Sequence, residues 1–165
     1  MKYVAALVMS LLLAANGLVL ATSLGSLPTR VASHFDASGI ANGFMPRSDY
    51  VLFMAAICLG IPVLLLLATV MLPFLAPNRL RIPSRDYWIA PERRAQTLTT
   101  ITIGGLVMSC IVAAFMVGVQ LLVLQANART PPQMDVALLY TMLALLVVAI
   151  LFWQFLLWRR FQAPR

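Results

Sequence analysis

Four stretches of this chain contain no charged residue: Tyr3–Thr29, Tyr50–Asn78, Ala95–Ala128 and Val136–Trp158. A hydrocarbon core of about 30 Å is crossed by roughly 20 helical residues, so each stretch is long enough to span a bilayer. A charge at mid-membrane costs about 2.5–3.5 kcal/mol on the insertion scale, and none of the four contains one. Backbone groups in lipid must be satisfied within their own segment, which selects helices. The expected architecture is an all-α integral membrane protein forming one membrane domain. Its four-transmembrane-helix bundle has spans near residues 4–24, 50–74, 99–124 and 136–158. An ordered outward loop cap (25–49) and an Arg-rich cytoplasmic loop (75–98) connect them. Composition agrees. The chain is 62% hydrophobic and 10% charged, against about 45–50% and 25% for soluble domains. That balance excludes a soluble enzyme, a disordered chain and a disulfide-stapled module.

The charge distribution orients the bundle. Lys2, Arg79, Arg81, Arg85, Arg93, Arg94, Arg159, Arg160 and Arg165 fall on one side, and Arg30, Arg47 and Arg129 on the other. Basic residues collect on the cytoplasmic side, so both termini are expected there. The net charge of +7 therefore reflects membrane topology, and no nucleic-acid partner is inferred. The start Met1-Lys2-Tyr3 also suits a signal peptide. Its apolar run exceeds a usual signal core, and a retained first span is expected.

No Asp, Glu, Lys, Arg or His lies within a span, which argues against ion-coupled transport. Asn16, Gln120, Gln125 and Gln154 are the main polar groups at bilayer depth, suited to bonds between helices. Gly17, Ala21 and Gly25 form a ridge of small residues on the first span. Gly105, Ser109 and Ala113 form another on the third, with Gly118 beside it. Such ridges let helices approach closely, within the bundle or in a homo- or hetero-oligomer. Pro62 should bend the second span. Cys58 and Cys110 have no metal-binding spacing and read as apolar fillers. No cofactor or metal is expected, and no phosphate loop, nucleophile elbow or HExxH motif is present.

Two loops carry the remaining information. The outward loop mixes apolar Val31, Phe35, Ile40 and Phe44 with turn signals at Asp36–Gly39 and Asn42-Gly43. It is expected to form a small folded cap with a short hairpin, with Ser48 capping the second span. His34, the only histidine, is expected to be structural, bonding a loop carbonyl; with Asp36 two residues on it could instead titrate or bind a ligand, but the two make a poor zinc site alone. In the inward loop, Pro91 and Glu92 suit the first turn of a helix that runs on into the third span. Arg85, Tyr87, Trp88, Pro91, Glu92, Arg93 and Arg94 there form the candidate surface for anionic lipids, or for a docked partner with the two aromatics as anchors.

The pattern Leu27-Pro28-x-x-Val31-x-x-His34-Phe35-x-x-x-Gly39-x-x-x-Gly43 resembles the domain of unknown function at the N-terminus of SdpI-type bacterial immunity proteins. Tyr87-Trp88-x-x-Pro91-Glu92-Arg93-Arg94 resembles a second motif of small members of that family. The resemblance implies the bacterial cytoplasmic (inner) membrane. It also implies protection from a secreted toxic peptide and signalling by holding a repressor at the membrane. The expected function is a non-catalytic protein binding a peptide or protein partner through Leu27, Pro28, His34, Phe35, Asp36, Gly39 and Gly43. An accessory subunit packed against a larger membrane complex is the alternative, and an enzyme or transporter using His34 and Asp36 a weaker third. For the topology, a membrane-impermeant maleimide applied to intact cells should modify an Asn42→Cys variant and spare Glu92→Cys. Equal labelling of both positions overturns the assignment.

Overall fold

The computed structural model describes residues 2–75 and 80–162, without the side chains of residues 72–74. Helix α1 (Lys2–Ser26) leads into strands β1 (Arg30–Phe35) and β2 (Ala41–Pro46). Then follow α2 (Arg47–Leu75), a single turn α3 (Arg85–Trp88), α4 (Pro91–Asn127) and α5 (Val136–Arg160). The chain is mostly helical. Helices α1, α2, α4 and α5 are each long and apolar enough to cross a membrane, making this a multi-pass membrane protein. The helices overrun the expected spans. Most of the excess in α4 is its first two turns, which start at Pro91 with Glu92 at the positive helix end.

Helix α4 is the axis of the bundle, and α1, α2 and α5 all lean on it. Cys110 of α4 lies beside the carbonyl of Ala5, and Asn16 bonds the carbonyl of Ala113. These pairs rise together along the chain, so α1 and α4 run parallel. Gly105 meets Thr69 of α2, while Leu122 and Val123 share a cluster with Tyr50 and Met54, so α2 runs antiparallel. Gly104 meets Leu157 and Gly118 meets Met142, so α5 is antiparallel as well. Among the described residues, α5 packs against no other spanning helix, and none of its residues is buried.

At mid-bundle, the Asn16 Nδ2 group donates to the carbonyls of Leu12 (2.8 Å) and Ala113 (3.0 Å). Its Oδ1 accepts from Gln120 Nε2 at 2.6 Å. Asn16 and Gln120 are both buried. Between helices in lipid such bonds average about 0.6 kcal/mol each, and they also fix rotation and register. Trp153 Nε1 donates to the Gly104 carbonyl at 3.1 Å, tying α5 to α4.

The two small-residue ridges fare differently. Gly105, Ser109 and Ala113 are buried, and a Cβ on Gly105 would lie 2.5 Å from Thr69 Cγ2. A Cβ on Gly118 would lie 2.4 Å from Met142 Cε. On α1, Ala21 and Gly25 are exposed, and nothing lies within 4 Å of a Cβ built on Gly17 or Gly25. Among the described residues, the α1 ridge thus has nothing packed over Gly17 or Gly25. Its helix turns its other face, with Met9, Asn16, Leu20 and Ser23, to the bundle. Pro62 is buried, and α2 runs through it as one helix. Because α2 begins at Arg47, Ser48 lies within its first turn and its hydroxyl bonds Asp49 instead of capping the helix. Both cysteines are free.

Gly105→Ala should lower stability in detergent by about 1–3 kcal/mol through overpacking against Thr69. Gly17→Ala should leave it unchanged or slightly raised. Thermal unfolding of the two variants side by side measures the contrast.

Candidate functional site

Residues 29–46 fold into an antiparallel hairpin, with Arg30 opposite Pro46, Val31 opposite Met45, Ala32 opposite Phe44 and Phe35 opposite Ala41. The register slips on either side of His34, which is paired with Gly43. Asn42-Gly43, a turn signal in the sequence, lies instead inside β2. Its glycine serves the opposite strand, since a Cβ there would sit 2.9 Å from His34 Cβ and 3.1 Å from its Nδ1. The turn is made by Asp36–Ile40. Asp36 Oδ1 accepts from Ser38 N (2.9 Å), Ser38 Oγ (2.7 Å) and Ile40 N (3.0 Å). Those bonds, led by the Ser38 hydroxyl, hold the exposed Asp36 carboxyl below its ordinary value of 3.8. Gly39 completes the turn at φ 85°, a conformation that favours glycine.

The hairpin is fastened to the bundle on two sides. Asn127, in the last turn of α4, grips the backbone of Ala32. Its Oδ1 accepts from Ala32 N at 2.8 Å and its Nδ2 donates to Ala32 O at 3.0 Å. Val31 and Ala32 are fully buried beside it. At the tip, Met134 N donates to Gly39 O at 2.9 Å, and Ile40 bridges to Gln133. A Cβ on Gly39 would fall 2.3 Å from Met134 O. Leu27 is buried below the strands, while Pro28 is exposed. Neither Asn127 nor Met134 was marked by the sequence motif. The local signal available for Asn127 is a polar residue at the end of an apolar run.

Beneath the hairpin lies a cavity of about 210 Å³. Ser33 and His34 of β1, Met45 of β2, Tyr50 and Met54 of α2 and Met134 line it, among others. His34 is exposed at its rim, with Nδ1 3.0 Å from the Ser33 hydroxyl. Ile40 and Phe44 are 55% and 47% exposed on the same hairpin. The structure therefore brings His34, Phe35, Gly39 and Gly43 together on one docked element. Asp36 is committed to the turn.

At the opposite end of the bundle, the aromatic pair is divided between two tasks. Trp88 is buried, donates from Nε1 to the Phe161 carbonyl at 2.6 Å and stacks edge-on with the Phe161 ring. Its own carbonyl accepts from Thr97 Oγ1 at 2.7 Å. Trp88 thus locks the loop to the end of α5 and is not available as a partner anchor. Arg93 covers the Tyr87 ring at 3.9 Å and bonds the Tyr87 carbonyl. Arg85 pairs with Asp86 at 3.0 Å. Pro91, Glu92 and Arg94 are exposed at the start of α4. Arg79 and Arg165 lie outside the described residues. Among the described residues, this end carries Lys2, Arg81, Arg85, Arg93, Arg94, Arg159 and Arg160 against Asp86 and Glu92. The hairpin end balances Arg30, Arg47 and Arg129 with Asp36, Asp49 and Asp135.

A multi-pass membrane protein with a small sheet docked over one end of its bundle is the class these features define. Residues 11–59 match the family model of a domain of unknown function, DUF1648, a domain found in SdpI-type proteins. The match runs from α1 through the hairpin into α2, and it supports the resemblance read from Leu27 to Gly43. No curated protein and no solved structure matches the chain.

Asn127→Ala should leave the buried Ala32 amide and carbonyl bare, at a cost of about 1–3 kcal/mol. Amide exchange at Ala32 should then speed by on the order of tenfold or more, while exchange in α2 stays unchanged. For Asp36, the folded-state pKa is depressed, so the turn's stabilisation is present above the ordinary carboxylate range. It is lost as pH falls through the lowered value. The Ser38 and Ile40 amide shifts, followed by NMR, should hold constant at neutral pH and move together with a midpoint below pH 3.8.

Proposed function

We propose that this chain is a non-catalytic, SdpI-like protein of the bacterial cytoplasmic membrane that presents its hairpin outward to bind a peptide or protein partner. One observation carries the reading. The hairpin is held rigidly by Asn127 and Met134, yet it keeps Ile40 and Phe44 in the open, beside a 210 Å³ cavity rimmed by His34. Rigid presentation of exposed apolar side chains lowers the entropy lost on binding. The cavity is large enough to accept one apolar side chain, and His34 can bond a neighbouring peptide group. A non-catalytic role is supported by the commitment of Asp36 to its turn, which leaves His34 without a carboxylate partner in the hairpin. With the termini cytoplasmic, Arg93, Arg94, Arg159 and Arg160 face the inner leaflet. There each basic residue contributes about 1 kcal/mol of attraction to anionic lipid.

The test is crosslinking in living cells from a photoreactive residue at position 40. A specific crosslinked peptide or protein is expected, and His34→Ala and Phe44→Ser should each reduce its recovery at least fivefold without changing expression. Recovery unaffected by both variants refutes the hairpin as the binding element. The accessory-subunit reading is favoured by a different observation, the α1 ridge, whose Ala21 and Gly25 are exposed and whose half-buried Gly17 has open space above it. A discrete large assembly on a native gel, dispersed by Ala21→Leu, is the outcome that would select it.

A further inference from the structure

A second cavity, of about 680 Å³, opens at the arginine end of the bundle. Its position follows from the helix packing. Helices α2 and α5 both lean on α4 but do not meet each other, and the gap between them is floored by Gly104, Gly105 and Met108. Thr69 of α2 and Leu157 of α5 form its walls, and Arg81 lines the end nearest the loop. The two floor glycines let Thr69 and Leu157 settle directly on α4 as those walls.

The cleft is mostly apolar and lies between helices that are each long and apolar enough to cross a membrane. Left empty, its walls would lose dispersion contacts along their length. Its polar side chains are Thr69, whose hydroxyl bonds the Leu65 carbonyl, Gln154, Trp158 and Arg81, so water filling it would lie mostly against apolar walls. A lipid acyl chain satisfies both conditions, and the volume lies within the range of small-molecule sites. The charge around the cleft selects the headgroup. Arg81 is exposed at the lining, Arg159 and Arg160 follow Trp158 at the same end, and no acidic side chain is among the described residues that line it. Trp158, on the wall, is of the residue type that sits at headgroup level.

We propose that this cleft seats one acyl chain of an anionic phospholipid, with the lipid phosphate facing Arg81. The bound lipid stands in for the missing contact between α2 and α5, and so acts as a structural ligand for a helix that has no buried residue of its own. A ligand that binds the folded state alone raises stability by mass action.

The experiment uses the full chain purified in detergent, stripped of lipid and supplied with phosphatidylglycerol or phosphatidylcholine of matched chains. Native mass spectrometry reads retained lipid and thermal unfolding reads stability. Phosphatidylglycerol should be retained preferentially and raise the midpoint, while inorganic phosphate alone should do neither. Arg81→Gln, an exposed change that leaves the fold intact, should cut the preference about fivefold, equivalent to the ~1 kcal/mol of one basic residue at an anionic surface. Met108→Trp should fill the cleft and abolish retention, whereas Leu18→Trp, on the exposed face of α1, should not. Equal retention of both lipids, an undiminished preference in Arg81→Gln, or the same stabilisation by inorganic phosphate overturns the proposal.

Discussion

Helices in a bilayer gain nothing from hiding apolar surface from one another, because lipid tails are as apolar as leucine. What holds them together is close approach and hydrogen bonding, and in this protein both are concentrated on α4. Gly105 and Gly118 let α2 and α5 come within contact of its backbone. Gln120 and the Ala113 carbonyl receive Asn16 from α1. Asn127 ends the helix by seizing the hairpin. A helix with so many obligations has little freedom to rotate, and α1, α2 and the hairpin inherit their positions from it.

The bilayer constraint also explains what the amino-acid pattern made legible. Charge is so costly at depth that the uncharged stretches mark the spanning helices to within four residues at each end, and Pro91 with Glu92 marks the start of α4. The hairpin is legible in part. Asp36 and Gly39 announce their turn because the chemistry is local, a carboxylate bonding amides two and four residues on and a glycine at positive φ. Asn42-Gly43 misleads because the same pair that favours a turn also serves where a strand needs space, here for the His34 ring. The Asn127 clamp and the Met134 latch join residues about 95 apart in the chain. No local pattern encodes that pairing, so it becomes visible only once α4 and the hairpin are placed together.

Aromatic residues near a membrane boundary pose the same ambiguity. Tyr87 and Trp88 are adjacent and of similar chemistry, and composition gives no means of separating an anchor from a latch. The difference arises from helix geometry. The turn of α3 points Trp88 into the junction between α4 and the end of α5, where Phe161 and Thr97 satisfy both its indole and its carbonyl. Tyr87 faces out and takes Arg93 across its ring.

The two ends of the bundle consequently differ in kind. At the hairpin end, charges balance and the backbone is locked to α4 by side-chain bonds, so that surface is shaped before any partner arrives. At the arginine end, basic residues are in excess, and the seam between α2 and α5 is open. There the shape is completed by whatever occupies the seam. The two ends are joined by α4, a continuous helix whose register is pinned at its middle by Asn16 and Gln120. Motion of α5 would reach the hairpin through the start of that helix, where Gln133 bridges Ile40, Met134 N donates to Gly39 O and Leu139 lines the cavity beside His34.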